Sequence, residues 1–141
     1  MAKAKTYDSS KVSVIVGPTP LTGLAEGSFV TVEREDSLWT KRVGRDGEVA
    51  RSKSSNKSGK ISIKVMQTSS ANATLNVYYQ LDELSNSGIV PILIRDGSGL
   101  SLHAAAEAWI EKIPKTEYGK DSGDIEWVFH CAELESAPLG N

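Results

Sequence analysis

The chain has few of the residues that usually carry chemistry. Cys131 is its single cysteine, which rules out an intramolecular disulfide and suits a reducing compartment. It lies in the apolar run Trp127-Val-Phe-His-Cys-Ala, where a packed core thiol is expected rather than a nucleophile. The two histidines, His103 and His130, have no second His or Cys at metal-site spacing. Cys131 beside His130 does not help, because strand neighbours point to opposite faces. No Gly-x-Ser-x-Gly elbow, phosphate loop or dinucleotide fingerprint is present. The glycine-rich stretch 17–27 lacks the lysine and helix start that phosphate binding needs. The acid pairs Glu35-Asp36, Asp82-Glu83 and Asp121/Asp124 read as solvated faces rather than acid–base couples. No catalytic, cofactor-binding or metal-ligating residue is therefore expected, and the enzyme reading ranks last. No apolar run approaches the roughly 20 residues of a membrane helix, so no membrane anchor is expected. The opening lysines of Met1-Ala-Lys-Ala-Lys-Thr are followed by no apolar core, unlike a secretory signal.

What the chain does have is ordinary globular composition and an uneven spread of charge. At 141 residues it reads as a single domain able to bury a core without metal or disulfide. Its net charge of −2 predicts no general affinity for nucleic acid. Residues 41–64, however, hold eight Lys or Arg against Asp46 and Glu48 alone. The remaining residues hold eight Lys or Arg against sixteen acids. A positive projection on a negative body is suited to binding copies of itself, since opposite potentials fix register and orientation.

Hydrophobic alternation marks most of the chain as β. Residues 1–9 read as an N-terminal arm, mobile or ordered late. Val12, Val14 and Val16 share one face of a strand that Gly17-Pro-Thr-Pro20 ends. Further strands are expected at 28–34 and 39–43, with a tight turn at Gly44-Arg-Asp-Gly47 and a return at 48–51. The segment 51–60 has no apolar residue and four positive charges, so it is a solvated loop or one that orders on a partner. Residues 60–67 give the clearest strand, with Ile61, Ile63 and Val65 on one face. Ser69 or Ser70 can cap a helix to about Leu84. Its apolar stripe of Leu75, Tyr78 and Tyr79, with Val77, Leu81 and Leu84, should pack on the sheet. A strand follows at 89–95. In 100–113, Ala104-Ala-Ala-Glu-Ala-Trp favours helix by propensity, yet Leu100, Leu102, Ala104, Ala106, Ala108 and Ile110 alternate; a strand is the reading adopted. Residues 116–124 are a polar loop, 125–134 a last strand and 135–141 a loose tail. The basic segment 44–60 has a bland reading as a solvated loop. As a nucleic-acid site it lacks interleaved aromatics, Trp39 lying only at its edge. A protein–protein arm is preferred because the rest of the chain is acidic.

Several ordered stretches carry a family resemblance. Tyr7-Asp-Ser-Ser-Lys-Val-Ser-Val-Ile-Val-Gly, Gly27-Ser-Phe-Val-Thr-Val-Glu-Arg-Glu and Trp39-Thr-Lys-Arg-Val-Gly-Arg-Asp-Gly-Glu-Val-Ala-Arg-Ser-Lys-Ser-Ser-Asn are followed by Gly59-Lys-Ile-Ser-Ile-Lys-Val-Met-Gln-Thr-Ser. Val90-Pro-Ile-Leu-Ile-Arg-Asp, Ala105-Ala-Glu-Ala-Trp-Ile and Glu126-Trp complete the set. Together they resemble the tail-tube proteins of contractile-tailed bacteriophages over nearly the whole chain.

The resemblance implies a mainly β fold, two packed antiparallel sheets (a β-sandwich or barrel) with one flanking helix. It implies hexameric rings that stack into a hollow conduit inside a contractile sheath, four strands per subunit joining into an inner barrel. Such closure would remove the exposed edges of an isolated sandwich. The implied partners are further copies of the chain, the sheath protein, a tape-measure protein, the baseplate hub and the tail terminator. Double-stranded DNA would pass without specific binding, and the location would be the virion tail, assembled in the host cytoplasm. The long hairpin loop, here about 43–60, would reach the neighbouring ring. Its contact residues would be Arg45, Arg51, Lys53, Lys57 and Lys60, meeting Glu33, Glu35 and Asp36, or Asp121, Asp124 and Glu126, on the next ring. A conduit should not grip phosphates, so an acidic lumen is expected, with Lys53, Lys57 and Lys60 kept away from it. The alternatives are the tube of a phage-derived bacteriocin or type VI secretion device, and a small β-barrel that binds single-stranded nucleic acid through the basic loop.

Overall fold

The alternation around Ile61, Ile63 and Val65 becomes a central strand, β6 (Gly59–Met66), whose odd positions are all buried and whose even positions face outward. The computed structural model describes residues 4–139. In chain order, β6 is preceded by β1 (Val12–Val16), β2 (Thr19–Pro20), β3 (Val30–Arg34), β4 (Trp39–Val43) and β5 (Val49–Lys53). After it come α1 (Ala71–Ser85), β7 (Val90–Asp96), β8 (Leu102–Ile110), β9 (Asp124–Cys131) and β10 (Leu134–Ala137). The larger sheet runs β2-β1-β7-β8-β9-β6-β3, with β10 also on β8, and every pairing is antiparallel. The second sheet is the hairpin β4–β5 alone.

The larger sheet supplies two layers because β8 bends. Val90 pairs with Ala108 but Ile92 pairs with Ala105, so β8 spends three steps where β7 spends two. That extra residue is a β-bulge, which kinks a strand and raises its twist. Beyond the bulge, β8 belongs with β9, β6 and β3; before it, with β7, β1 and β10. One hydrophobic cluster draws Val14, Val16, Ile92 and Ile94 from the second layer and Ile61, Ile63, Trp127 and Phe129 from the first. The strand reading of 100–113 thus holds at its centre. The expected face holds at Ala108 and Ile110 and fails before the bulge, where Ala105 is buried in place of Ala104 and Ala106, because the bulge shifts the alternation by one.

Other expectations are also corrected. Residues 135–137 are a strand rather than a loose tail, since β10 continues the register that β9 keeps with β8, broken only at Ala132-Glu133. Gly17-Pro18 does not simply end β1. Gly17 has φ +61, and the chain turns back to pair Thr19 with Val16. Residues 1–3 of the N-terminal arm lie outside the described residues, as do 140 and 141. Asp8 is anchored: its carboxylate accepts from the Ser10 amide at 3.0 Å and its own amide donates to Ser98 Oγ at 3.1 Å.

Ser69 rather than Ser70 supplies the hydroxyl at the start of α1, accepting from the Ala71 amide at 3.1 Å and donating to Thr22 O at 2.6 Å. Asn72 then ties the helix to the sheet by accepting from Trp127 Nε1 at 2.9 Å, which satisfies a buried indole N–H. The helix ends at Asn86, which takes the left-handed conformation (φ 57) and donates to Asp82 O. Its apolar stripe is split. Leu75 is fully buried and Tyr78 and Tyr79 half-buried, while Val77, Leu81 and Leu84 face outward, because the sheet covers only one side of α1.

The root of the β4–β5 hairpin is clamped to the core through Leu134. Arg34 donates twice to Leu134 O, at 3.0 and 2.8 Å, and the Leu134 amide donates to Lys57 O at 2.8 Å. The buried Leu134 side chain lies against Gly59, where an added Cβ would come within 2.9 Å of Glu33 O and of Leu134 Cβ. Glycine is required here by close approach between layers. Gly59→Ala is expected to destabilise the fold by about 1–3 kcal/mol, the usual cost of overpacking. Chemical denaturation beside a Lys60→Ala control measures it, and an unchanged midpoint would mean that the clamp yields freely.

Candidate assembly surface

Every residue of β4 and β5 is exposed, so the hairpin projects as an arm. Its register pairs Trp39 with Lys53, Lys41 with Arg51 and Val43 with Val49, which places all six on one face. The Arg51 guanidinium lies 4.0 Å from the Trp39 ring centre, a cation–π contact that occupies one side of the indole. The opposite face carries Thr40, Arg42, Ala50 and Ser52. The turn closes with Gly44 donating to Glu48 O and Gly47, at φ +88, donating to Gly44 O. Arg45 sits at this tip.

The arm is longer at its base than the loop reading of 51–60 implied. Residues 51–53 continue β5, and 54–58 run back beside 35–38. Ser54 donates to Leu38 O at 2.7 Å and Glu35 to Ser58 O at 3.1 Å. The polar side chains of this stretch satisfy the backbone and one another, which is why it needs no apolar residue. Asn56 Nδ2 donates to Asp36 Oδ2 at 2.9 Å, and Ser58 Oγ donates to Glu35 Oε2 at 3.2 Å.

Within the subunit, several of the expected contact residues already have partners. Glu35 and Asp36 brace the root of their own arm. Lys57 also works at the root, 3.7 Å from Glu133 and 4.0 Å from Glu135 of the same chain. Lys60 is not on the arm at all but on β6, between Glu33 and His130 in the register. Arg45, Arg51 and Lys53 do stand on the arm. Asp121 and Asp124 lie exposed at the opposite end of the sheet, because β6 and β9 run from the root pair Gly59–Cys131 to the pair Met66–Asp124. The seven steps from Gly59 to Met66 separate those ends by roughly 23 Å. Basic arm and acidic edge therefore occupy opposite poles of the molecule. Glu126, beside that edge, pairs with Lys64 at 3.8 Å.

The outward face of β3, β6, β9 and β8 is polar. It presents Thr31 and Glu33, then Lys60, Ser62 and Lys64, then Asp124, Glu126, Val128 and His130, then Trp109 and Glu111. Carboxylates outnumber lysines on it by four to two. His130 stacks on Trp109 and lies between two carboxylates, with Nδ1 3.4 Å from Glu35 and Nε2 3.2 Å from Glu111. Reading along the sequence missed this cluster and also missed Arg34, Glu133 and Glu135. All depend on long-range register; the only local signal was Glu133-Leu134-Glu135, an alternation that marks a half-buried strand.

No group of three or more His, Cys, Asp or Glu among the described residues is placed to hold a metal. Cys131 is buried, and that burial, with a smaller contribution from the Glu35 carboxylate, pushes its thiol up to about 11. Below that pH it stays protonated and inert. At pH 8 a thiol reagent is expected to label denatured protein promptly and native protein only at the rate of opening. Stoichiometric labelling of the native fold within minutes would contradict this.

The model of the Bacteriophage PhiTE tail tube protein family matches residues 14–140. The chain is 30% identical over 147 residues to a structural protein, ORF10, of Pseudomonas phage KPP10, covering 99% of this chain and 85% of that one. Its fold is also similar to solved structures. A sheath/tube terminator of an extracellular contractile injection system matches with TM-score 0.69 at 12% identity, covering 96% of this chain and 99% of that one. The sheath–tube complex of such a system contains a chain matching at TM-score 0.63 and 12% identity, over 94% of this chain and 91% of its own length. The tube-terminating cap of an anti-feeding prophage matches at TM-score 0.67 and 10% identity, over 97% and 94%. The chain belongs to the phage tail-tube protein family.

Excising the arm tests its place as a separate surface. Replacing residues 38–54 with a short Gly-Ser turn leaves the root bonds from Asp36 to Asn56 and from Glu35 to Ser58 intact. The expected monomer keeps its far-ultraviolet circular dichroism and loses no more than about 1 kcal/mol of stability, as for changes remote from the core. Loss of the folded state would place the arm inside the cooperative unit.

Proposed function

We propose that the chain is the repeating subunit of a phage tail tube, forming hexameric rings that stack head to tail into a hollow conduit for double-stranded DNA inside a contractile sheath. The observation that carries the stacking is the polarity just described: a basic arm at one pole and the exposed Asp121 and Asp124 at the other. A contact between two different surfaces repeats without end unless something caps it, which is the geometry of a tube.

Two sheet edges support lateral closure. In the β3–β6 ladder, Phe29 and Glu35 bond to Lys64 and Ser58, so the backbone groups of Val30, Val32 and Arg34 alternate to the outer edge. At the other side of the layer, β8 beyond Ala108 pairs, among the described residues, with β9 alone. Joining these edges around a ring would give the inner barrel of four strands per subunit and leave no edge open to aggregation. The polar face of these strands would then line the bore. Its carboxylate surplus suits a wall that must not retain phosphates. Lys60 would lie on this wall, contrary to the expectation that it stays clear. It is set beside Glu33, so its charge is locally opposed.

The role is mechanical rather than catalytic. Its partners in this reading are the sheath outside, a tape-measure protein within the bore before DNA, and the hub and terminator at the two ends. The family match and the phage relative favour DNA as cargo over that of an injection device. A monomeric nucleic-acid module is disfavoured because Arg51 already covers one side of Trp39, the only aromatic on the arm.

Negative-stain electron microscopy of concentrated purified protein should show rings or hollow tubes. Changing Lys41, Arg51 and Lys53 together to Glu should abolish stacking while the monomer stays folded by circular dichroism. Monodisperse wild-type monomer that instead binds single-stranded DNA with steep salt dependence would refute the tube.

A further inference from the structure

The outer face of the second layer carries an apolar trough of about 540 Å³. Its floor follows two cross-strand rows. Ile15, Leu93 and Ala104 lie side by side in one, and Gly17, Pro91 and Ala106 form the other. Each row ends on β10 in an acid: Glu135 is the cross-strand partner of Ala104, and Glu133 stands beside Ala106. Both carboxylates are well exposed, and Lys57 of the same chain approaches them only at 3.7 and 4.0 Å. An apolar floor with an anionic rim is therefore exposed on the subunit surface.

We infer that this trough receives the tip of the basic arm from a second copy of the chain. The arm bears the complementary pattern on one face. Val43 and Val49 form an exposed cross-strand pair next to the tip, with Lys41 and Arg51 one row behind and Arg45 in front. Seating the valine pair on Leu93 and Ala104 would bring these cations to Glu133 and Glu135. Length agrees with the contact. From its root at Arg34 to its tip at Arg45 the arm reaches at most roughly 36 Å if fully extended, against the roughly 23 Å height of β6, and the bends at 35–38 shorten it. An arm rising from the root pole of one subunit would pass the acidic pole of the next. It would go on to the trough, which lies at the bend of β8 near that subunit's own root. The inference rests on the head-to-tail stacking proposed above. It adds that the acidic edge at Asp121 and Asp124 is passed along the way, while Glu133 and Glu135 hold the tip.

Disulfide trapping between two single-site variants tests it. Val49→Cys and Ala106→Cys proteins, one bearing a size tag, are mixed at assembling concentration and oxidised mildly, with Leu84→Cys, on the outer side of α1, replacing Ala106→Cys as control. Cys131 is buried and does not compete. The expected result is a Val49–Ala106 heterodimer at least tenfold above the Leu84 control, from samples that show tubes. Tubes without that excess would overturn the trough contact and leave the tube standing. The heterodimer without tubes would keep the contact and refute the tube. Neither product would overturn both.

Discussion

One additional residue in β8 decides the architecture. Without it, the strands from β2 to β3 would form a single open sheet with one face on water. With it, β8 leaves one layer and enters another, and the same hydrogen-bonded sheet wraps both sides of a core. The bend also fixes the course of β9 and β10, which stay in one register with β8 across the corner. It leaves the first layer with two open edges, one on β3 and one on β8, and sets the trough at the corner of the second. Features proposed here as assembly surfaces are therefore consequences of one local irregularity.

The arm is held by a different device. A two-stranded hairpin without a core is marginal in water. Its stability must come from its ends, and the root supplies it: Arg34 and Lys57 reach Leu134 from the two legs of the arm, while Gly59 lets Leu134 approach. Leu134 is wholly buried, so the arm's root is as fixed as the core. Beyond the root, among the described residues, the stacking of Arg51 on Trp39 and the ladder itself order the strands. The structure is thus graded from a rigid base to a tip whose apolar pair, Val43 and Val49, stands exposed.

Much of the fold could be read directly from the chain. Val12–Val16 and β6 follow period-two patterns in which local preference and burial agree, and Trp39–Val43 is a strand where expected although every residue of it is exposed. The tight turn at 44–47 and the helix after Ser69 also follow from local chemistry. Features set by distant partners were not legible. β10 looks like a polar tail because only Leu134 faces inward, and its strand character comes from pairing with β8. Val77, Leu81 and Leu84 continue a helical stripe but lie past the edge of the sheet that would cover them. Glu35, Asp36 and Lys57, expected from the sequence as solvated charge or contacts to the next ring, bond at the root of their own arm, because 54–58 folds back beside 35–38. Charge counting identified the basic segment and its sign. It did not show that three of the eight cations belong elsewhere, two on β6 and one at the root.

The grading of the arm bears on how such a subunit would stay dispersed before the proposed assembly. A chain with an open edge at β3, another at β8 and an apolar trough should aggregate unless each contact alone is weak. The arm would meet that condition, since its proposed docking brings several exposed charges together in high dielectric, where single pairs are worth little. Placed in a ring, however, the same arm meets its site as part of a multivalent set, and its neighbours hold it within reach. Weak single contacts and strong collective ones would, in the proposed tube, keep dilute subunits apart and let assembly grow once a ring has formed, at high concentration or on a template. In the proposed tube, the polarity between basic arm and acidic edge gives that growth a direction.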